Sequence, residues 1–460
     1  MDWRGRRVLV LGAARQGLAT TRYLLACGAL VTLSDAKPAA ALDLSSLGAA
    51  GPGVLRLALG GHPLELLDGC DLVCLSGGVP IDLPIVLAAR ARGLALSNDA
   101  QLFFEACPAP IIGITGSAGK TTTTTLTGEM LRASAAAAGG PAVHVGGNIG
   151  NPLIEQVDGI GAADKVVMEL SSFQLDLMTR SPHIAAITNI TPNHLDRHGT
   201  MDAYAAAKRR ILDFQGPDDH AVLSADDPLS ATLHPAGARL TFSLTRPPEG
   251  DGAWLDRNGD LQLRLHARGI EARICARREI VLMGDHNVRN VLAAALLGAL
   301  GGASLEAIRR VAVSFKGVAH RLQLIREWRG ARFYNDSIAT APERVLADLR
   351  CFEVPIVLMV GGRDKKLPWE EVAAEMVRRC RHVVLFGEMG GMVAGKLTTA
   401  GLPAGRMSVC DTLDRAVARA SEIVHPGDVA LLSPGGTSYD AYRDFEQRGE
   451  HFRALVDALT

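Results

Sequence analysis

The stretch IIGITGSAGKTTTTTL at residues 111–126 constrains the fold more than any other part of this sequence. Its apolar first five residues predict a buried strand, and a glycine-rich turn and a helix start follow. Gly116, Gly119, Lys120 and Thr121 form the pattern G-x-x-G-K-T. Glycines let backbone N–H groups approach an anion, while the helix N-terminus and Lys120 add positive charge. The stretch therefore predicts a phosphate-binding turn in an α/β sheet.

The threonine run after the lysine divides into candidate ligands and ordinary helix. A hydroxyl directly after the lysine can reach a Mg²⁺ ion that bridges phosphates, so Thr121 is the metal candidate and Thr122 a lesser phosphate candidate. Thr123, Thr124 and Thr125 are expected to be helix, although consecutive β-branched residues lower helix propensity. The alternative is an ordinary strand–turn–helix junction with a chance G-K-T.

Short apolar strands alternate with helical stretches along the whole chain, which is typical of parallel sheets with crossover helices. Breaks near EACPAP and near residue 313 predict three α/β domains in the 460 residues, with boundaries at 1–107, 108–312 and 313–460. The outer two are expected to be Rossmann-like and the central one to be a P-loop-type ATPase domain. Ligands usually bind where the strands of such sheets end. The predicted strands are RVLVLG, LVTLSD, DLVCLSGG, LALSND, KVVMEL, AAITNI, HAVLSADD, ARFYND, PIVLMVGG, HVVLFGE and DVALLSPGG.

Two segments of the central domain depart from this alternation. Residues 239–283 carry alternating patterns and turn residues, which predict a small antiparallel portion. The segment RASAAAAGGP at 132–141 is expected to be an exposed loop or a frayed helix end.

Composition excludes several classes of protein. With 48 Lys and Arg against 49 Asp and Glu, there is no basic excess to favour nucleic acid or an anionic membrane surface. No apolar run approaches the ~20 residues that span a bilayer, and the N-terminal apolar run is too short for a signal peptide. The eight cysteines form no C-x-x-C pair and are interpreted as buried thiols in a reducing cytosol. We expect a soluble, cytoplasmic protein without membrane insertion.

A second group of polar residues follows the strands of the central domain. Glu169 ends the strand KVVMEL, where a carboxylate suits a metal ligand. His194 follows AAITNI on a polar turn with Asn189 and Asn193, which favours a functional role over a structural one. Lys208 lies on a predicted helix and by pattern alone is interpreted as a solvated lysine.

Several motifs in order give the chain a resemblance to a known family. They are GITGSAGKTT, GGNIGNP, ELSSFQL, TNITPNHLDRHGTMDAYAAAKRRI, GDHNVRN, KGVAHR, NDSIATAP and SPGGTSYDAYRDFEQRGEHF. Together they cover almost the whole chain, which resembles the Mur ligases of peptidoglycan synthesis, in particular the glutamate-adding members. The resemblance implies a UDP-sugar-binding domain, an ATP-binding domain and a mobile C-terminal domain that brings the amino acid. It also implies a role in cell wall biogenesis, and through it in cell shape, cell division and the cell cycle.

The resemblance implies a ligase reaction with UDP-N-acetylmuramoyl-L-alanine, glutamate and ATP as substrates. ATP would phosphorylate the alanyl carboxylate, and the amine of glutamate would attack the acyl phosphate. Two Mg²⁺ sites, D-glutamate as the added amino acid and a monomeric protein are expected.

The family's catalytic and nucleotide-binding positions carry over by motif. Lys120, Glu169, His194 and Lys208 would be catalytic, with Lys208 matching the family's carbamylated lysine. That modification turns a cation into an anion able to bind metal, which reverses the interpretation from pattern alone. The metal ligands would be Thr121, Glu169, His194 and carbamylated Lys208. The ATP-binding residues would be Gly116, Ser117, Gly119, Lys120, Thr121, Thr122, Asn287, Asn290, Arg321, Asn335 and Asp336, with His320 beside Arg321 at a domain junction.

The remaining candidates bind the two other substrates. GAARQG at 12–17 lacks the middle glycine of a dinucleotide-binding motif and is similar to the family's UDP-binding turn. Lys365 matches the lysine expected to hold the side-chain carboxylate of glutamate, although Lys366 could serve, and Ser438 and Phe445 match the rest of that pocket. The UDP-substrate candidates are Gly12, Ala14, Arg15, Gln16, Asp35, Ser76, Gly77, Gly78 and Asn148.

Departures from the family pattern keep alternatives open. Ile338 stands where glutamate-adding members usually have lysine, which weakens the choice between D- and L-glutamate. Ile114 stands where a standard P-loop has glycine, and the resemblance makes this a family trait. A folylpolyglutamate-type ligase is the rival within the superfamily. A switch NTPase would need neither the Glu169–His194–Lys208 set nor a third domain, and a dehydrogenase would rest only on residues 12–35.

Overall fold

The computed structural model describes residues 2–48, 53–150, 152–282, 284–365 and 367–460. The chain divides into two compact units, Met1–Phe315 and Lys316–Thr460. Within the described residues, the strands form three sheets of five, nine and six strands, the first two in the first unit and the third in the second. The α/β fold class with three sheet regions agrees with the prediction. The exact domain boundaries at 107 and 312 stay predictions.

The first sheet is entirely parallel, with strand order β3-β2-β1-β4-β5. The order reverses between β1 and β4, which is where open parallel sheets form a ligand crevice. The strand β3 was not predicted, because half of its residues are exposed at the sheet edge and it lacks a buried apolar run. The elements are β1 (Arg7–Leu11), α1 (Arg15–Ala26), β2 (Leu30–Asp35), β3 (Val54–Leu59), β4 (Leu72–Leu75), α2 (Pro84–Ala91), β5 (Ala95–Ser97) and α3 (Asp99–Ala106).

The second sheet has the order β14-β13-β12-β11-β10-β9-β6-β8-β7. It is parallel from β7 to β12, and β12, β13 and β14 extend it antiparallel, as predicted for 239–283. The elements are β6 (Ile111–Thr115), α4 (Lys120–Ala138), β7 (Val143–Gly147), β8 (Lys165–Glu169), α5 (Ser172–Leu175), β9 (Ile184–Ile187), α6 (Leu195–His198), α7 (Met201–Asp213), β10 (His220–Ser224), α8 (Pro228–Ala231), β11 (Ala238–Ser243), β12 (Gly252–Leu255), β13 (Asp260–Leu265), β14 (Ile270–Ala276), α9 (Asp285–Gly301) and α10 (Leu305–Ser314).

The expectation of a loop or frayed end at 132–141 was wrong for most of that segment. Helix α4 continues through the alanines to Ala138 and ends at Gly139, whose φ of 63° is left-handed. Alanine has the highest helix propensity, and glycine adopts the left-handed conformation that closes a helix at no steric cost. The alanine run therefore extends the helix.

The third sheet has the order β15-β16-β20-β17-β18-β19, and only the pair β15–β16 is antiparallel among its described strands. Its elements are β15 (Gln323–Trp328), β16 (Ala331–Asn335), α11 (Pro342–Leu349), β17 (Ile356–Gly361), α12 (Glu370–Arg379), β18 (Cys380–Phe386), α13 (Gly390–Thr399), β19 (Met407–Val409), α14 (Leu413–Ile423), β20 (Val429–Gly435) and α15 (Phe445–Asp457).

The core of the central region fixes the phosphate-binding turn from both sides. Every residue of β6 is buried, as expected for a parallel strand covered on both faces. Helix α9 is apolar around nearly its whole circumference and packs on α4 in the same core. Because β6 leads into the turn and α4 leaves it, burial of these two elements determines where the turn lies.

Two sequence expectations about the chain as a whole can be compared with the structure. Across the described residues, no helix combines the length and apolar character needed to cross a membrane. All eight cysteines are unpaired, and Cys74, Cys275 and Cys380 are buried as expected. Cys351 is exposed, however, because it lies at the C-terminal end of α11 rather than on a core strand.

Candidate active site

The phosphate-binding turn adopts a conformation that requires its glycines. Gly116 and Gly119 have φ of 152° and 82°, and a Cβ at either would collide with Thr188 or Asn290. Asn189 holds the turn, since its Oδ1 accepts a hydrogen bond from the N–H of Ala118 at 2.9 Å. Sequence analysis placed Asn189 beside His194 but not against the turn. The backbone is therefore shaped to approach an anion closely.

Lys120 is the first residue of α4, directly after the turn. Its Nζ lies 2.9 Å from the carbonyl oxygen of Gly116 and donates a hydrogen bond to it. The ammonium group therefore folds back over the turn, where a bound phosphate would meet it.

Glu169 is the centre of a buried hydrogen-bond network at the end of β8. Its side chain is 2% exposed, and its Oε2 accepts a hydrogen bond from Thr121 Oγ1 at 2.7 Å. The other oxygen, Oε1, accepts one from Asn148 Nδ2 at 2.9 Å. The structure thus brings together Thr121, a metal candidate on α4, and Asn148, a substrate candidate in the loop after β7.

Lys208 is fully enclosed, contrary to the interpretation as a solvated helix lysine. It is 1% exposed because α7 turns this face toward β6 and the phosphate-binding turn. Its Nζ donates to the carbonyl oxygen of Gly116 at 2.8 Å and lies 4.6 Å from the ring centroid of Tyr204. Burial above all, together with the charge of Lys120, lowers the pKa of Lys208 to about 6, against the opposing effect of Glu169. A neutral amine is therefore favoured at pH ~7.

His194 belongs to a series of stacked rings beside this network. It has a left-handed φ of 54° and contacts Phe173 edge-on, with ring centroids 5.3 Å apart. Phe173 stacks on His198 at 5.1 Å, and His198 lies 5.2 Å from the ring of Tyr204. The rings connect His194 to the side chain that packs under Lys208.

Tyr204 was not selected from the sequence, although it links three parts of the site. It is buried, its hydroxyl donates to Ser117 Oγ at 3.0 Å, and its ring carries the Lys208 amine. The signal available was its position one helical turn before Lys208, which places both on one face of α7.

The described residues fit Mg²⁺ as a phosphate-bound ion rather than as an ion in a protein cage. Among the parts of the chain that the structure describes, no group of three or more His, Cys, Asp or Glu residues could hold a metal. Mg²⁺ is usually bound by one or two protein oxygens together with substrate phosphates and water. The adjacent oxygens of Thr121 and Glu169 beside the phosphate-binding turn match that chemistry.

The two asparagines expected near the nucleotide lie on α9 next to the turn. Asn290 is buried, and its Nδ2 donates to Asn287 Oδ1 at 3.1 Å. Gly119 leaves no room for a Cβ because Asn290 occupies that space. Both asparagines therefore line the turn at the start of α4.

The candidates for UDP binding meet at the crevice between β1 and β4. Gly12 has a φ of 92°, and a Cβ there would meet Val79 and Ser76 at 2.9 and 3.0 Å. Gln16 Oε1 accepts a hydrogen bond from the N–H of Gly77 at 3.2 Å, which joins the two turns. Gly78 follows in the same turn, and Ala14 and Arg15 are exposed at the start of α1.

Asp35 at the end of β2 completes this edge. Its Oδ2 accepts a hydrogen bond from the N–H of Ala13 at 2.7 Å, and its Oδ1 accepts one from the N–H of Lys37 at 2.8 Å. The carboxylate therefore joins the first and second turns of the sheet.

A buried pair between the first and second sheets was missed by sequence analysis. Gln174, within the quoted ELSSFQL, donates from Nε2 to both oxygens of Asp99 at 3.2 and 3.1 Å. Burial raises the pKa of Asp99 to about 6, while the bond to Gln174 and the charge of Arg15 act in the opposite direction. Because the two residues are 75 positions apart, no local pattern could pair them.

In the second unit, the glutamate candidates differ in exposure. Lys365 is exposed overall, but its Nζ donates to Thr340 Oγ1 at 3.1 Å, and burial of the amine lowers its pKa. Ser438 is buried, and Phe445 is half-buried at the first position of α15. The alternative candidate Lys366 lies outside the described residues.

The ATP-binding candidates of this unit hold a segment whose backbone has left-handed φ values. His320 and Leu322 have left-handed φ values of 61° and 39° and flank Arg321. Asn335 Nδ2 donates to the carbonyl oxygen of Gly449 at 2.9 Å and lies 3.1 Å from His320 Nδ1. The N–H of Leu322 donates to Asp336 Oδ1 at 2.5 Å. Asn335 and Asp336 are both buried, so their side chains hold the backbone on either side of Arg321.

The chain is similar to known protein families, to known sequences and to solved structures. Residues 114–298 match the Mur ligase middle domain, and residues 320–436 match the Mur ligase glutamate ligase domain. The UDP-N-acetylmuramoylalanine–D-glutamate ligase of Symbiobacterium thermophilum is 44% identical over 456 residues, covering 99% of this chain and 98% of that one. The enzyme of the same name from Pelotomaculum thermopropionicum is 39% identical over 463 residues, covering 100% and 99%.

Solved structures share the fold at lower identity. UDP-N-acetylmuramate–alanine ligase MurC from Thermotoga maritima has a TM-score of 0.55 at 20% identity and covers 98% of this chain and 99% of its own. A pseudomurein peptide ligase type C from Methanothermus fervidus has a TM-score of 0.53 at 18% identity and covers 99% and 100%. These likenesses extend along the full length of the chain.

Proposed function

The chain belongs to the Mur ligase family, and on that premise we propose that it adds D-glutamate to UDP-N-acetylmuramoyl-L-alanine in peptidoglycan precursor synthesis, using ATP. The observation that carries the proposal is full-length similarity to ligases of that name together with the network of Lys120, Thr121 and Glu169. A folylpolyglutamate-type ligase is disfavoured, because the similarity to UDP-substrate ligases includes the first sheet and its crevice.

The reaction follows from the chemistry of the two joining groups. A carboxylate is a poor electrophile, so an oxygen of the alanyl carboxylate attacks the γ-phosphorus of ATP, and ADP leaves. The amine of glutamate then attacks the acyl carbon, and the amide bond forms. Phosphate departs with the carboxylate oxygen that attacked ATP, and the amine releases a proton. Lys120 and the backbone N–H groups of the turn offset the charge that gathers when two anions meet.

We assign one Mg²⁺ ion to Thr121 and Glu169 and a second to His194 and Lys208, the latter as its carbamate. When bound, the ions would neutralise charge on the ATP phosphates and on the reacting carboxylate. Thr121 and Glu169 present two oxygens 2.7 Å apart next to the turn, whereas the ring of His194 lies edge-on against Phe173. The first assignment is therefore supported by geometry and the second by the family resemblance.

Carbamylation of Lys208 suits the environment of its amine. A lysine reacts with CO₂ only as the neutral amine, and the reaction forms a carbamate anion and releases a proton. The amine is buried, faces the carbonyl oxygen of Gly116 and lies near the charge of Lys120. The carbamate would place a negative charge close to Lys120, whose positive charge attracts it.

The other substrate roles remain as the sequence predicted them. The first sheet would bind the UDP moiety at Gly12, Asp35 and Ser76, and Asn148 would meet the muramoyl part. Lys365, Ser438 and Phe445 would hold the glutamate. A monomeric state and a cytoplasmic location are part of the same proposal.

ADP release from the purified protein tests this function. We expect ADP and phosphate only when UDP-N-acetylmuramoyl-L-alanine and glutamate are both present, with D-glutamate far more effective than L-glutamate. Equal ATP turnover without either substrate would exclude a ligase. Preference for L-glutamate would leave the ligase proposal standing but change the amino acid that is added. Ile338 would then be the first residue to examine.

A further inference from the structure

His62 lies at the same edge of the first sheet as the UDP-binding candidates, yet neither motif nor resemblance selected it. It ends the loop Gly60–His62 that follows β3. The N–H groups of Gly60 and Gly61 donate to the carbonyl oxygen of Asp35 at 2.9 and 3.1 Å. The loop therefore folds onto the end of β2 and places the half-buried His62 beside Asp35.

The hydrogen bonds around His62 favour one tautomer of its ring. The buried Ser34 hydroxyl donates its only proton to the carbonyl oxygen of Gly61 at 3.1 Å. Because the hydroxyl has one proton, both contacts of Ser34 Oγ are hydrogen bonds only when Nδ1 of His62 donates across the 2.8 Å contact. In the neutral ring of this tautomer, Nε2 is an acceptor. Burial lowers the pKa of His62, which favours the neutral ring, although Asp35 acts in the opposite direction.

The strand order indicates which part of a nucleotide reaches His62. In parallel sheets of this kind, a diphosphate binds at the turn after the first strand, and the acidic residue after the second strand contacts the ribose. Here these are the turn at Gly12 and the carboxylate of Asp35. The strand β3 lies on the far side of β2. A base that continues outward from the ribose would therefore arrive at the loop that carries His62.

We propose that His62 is a specificity-determining residue for the nucleoside, with Nε2 accepting a hydrogen bond from N3–H of uracil. The proposal rests on the proposed function, which puts the UDP moiety at this edge. Uracil carries a proton on N3, whereas N3 of cytosine is an acceptor. Two facing acceptors repel, so His62 would select uridine over cytidine.

The test is binding of UDP and CDP to the full chain by titration calorimetry. We expect the wild type to prefer UDP, and H62A to bind UDP about 3- to 10-fold more weakly with a reduced preference over CDP. The Michaelis constant for the UDP-substrate should rise by a similar factor, while those for ATP and glutamate stay unchanged.

A second variant separates recognition from folding of the loop. In H62N the side-chain amide can still donate to Ser34 Oγ, but no acceptor remains at the position of Nε2. It should therefore behave like H62A. His183→Ala removes an exposed histidine from the same unit and should leave UDP binding unchanged.

The outcomes distinguish this inference from the proposed function. Unchanged UDP affinity and an unchanged ratio of UDP to CDP in both His62 variants would overturn the role of His62 and leave the ligase proposal standing. A wild type that binds neither UDP nor the UDP-substrate would overturn both.

Discussion

The phosphate-binding network of the first unit and the glutamate candidates of the second unit are built differently. Glu169 and Lys208 are almost fully buried, and each is hydrogen-bonded to the turn or to the helix that follows it. Lys365 is exposed, and its Nζ donates a hydrogen bond to Thr340. Groups that stabilise developing charge act best when fixed in advance, whereas a group that captures a small substrate needs only to bind it. We therefore expect substitutions in the first region to lower kcat, and substitutions in the second region to raise the Michaelis constant for glutamate.

Loss of the Lys208 side chain should cause the largest effect. We expect Lys208→Ala to lower kcat by about 10²- to 10³-fold, because the proposed carbamate and its charge both disappear. Small carboxylates such as acetate should restore part of the activity by occupying the vacated space. Lys396→Ala is the control, since that lysine makes a surface ion pair with Glu370. Absence of rescue would leave the carbamate without support.

Lys365→Ala should act on substrate affinity instead. We expect the Michaelis constant for glutamate to rise about 10-fold or more, with a smaller change for ATP, because the charge proposed to face the glutamate side chain is lost. Arg363→Ala removes a cation from the same loop, where it pairs with Glu388, and should have little effect. If the Michaelis constant for glutamate is unchanged, the glutamate side chain is bound by Lys366 or by another residue. A fall in kcat as large as that of Lys208→Ala would remove the distinction between the two regions.

Tyr204→Phe sharpens the comparison within the first region. The ring can stay under Lys208, but the hydroxyl that donates to Ser117 Oγ is gone. We expect kcat to fall about 3- to 10-fold, the effect of one hydrogen bond, with the Michaelis constant for glutamate unchanged. Steady-state kinetics at saturating ATP would measure this. A change confined to glutamate affinity would contradict the placement of Tyr204 in the phosphate network.

The smallest effect is expected in stability, at a buried carboxyl pair of the second unit. Asp336 and Asp348 hydrogen-bond each other, and Asp348 Oδ2 accepts from Ser433 Oγ at 2.6 Å. Burial raises the pKa of both, so the folded state binds a proton more tightly than the unfolded state and loses stability as pH rises through the folded values.

Asp348→Asn keeps an acceptor for Ser433 and removes the second charge. The melting temperature of the variant minus that of the wild type should therefore be more positive at pH ~8 than at pH ~5. Asp411→Asn, on an exposed carboxylate, should show no such dependence. A melting difference that does not change with pH would mean that the pair does not share a proton.

The sequence predicted the elements of the site better than their connections. The strand pattern placed Lys120 after a turn and Glu169 at a strand end, because both follow from local periodicity. Lys208 looked solvated, because burial of a helix face depends on which sheet it packs against. Tyr204 and Ser117 are 87 positions apart, so their contact has no local signature.

The acidic pair and His62 illustrate a second limit. Local patterns cannot reveal a tautomer or a shared proton, since both depend on which atoms meet across the sheet. Ser34 favours one tautomer of His62 only because two loops converge at the edge of the first sheet. The α/β class was predictable because hydrophobic periodicity repeats over the whole chain.

Oxygen transfer tests the central claim most directly, namely that the phosphate-binding network activates a carboxylate by phosphorylation. UDP-N-acetylmuramoyl-L-alanine labelled with ¹⁸O in the alanyl carboxylate is incubated with ATP and D-glutamate, and the released phosphate is analysed by mass spectrometry. The account predicts one ¹⁸O atom in each phosphate formed, because the carboxylate oxygen that attacked ATP leaves with it. Phosphate without ¹⁸O, formed together with the amide product, would contradict it.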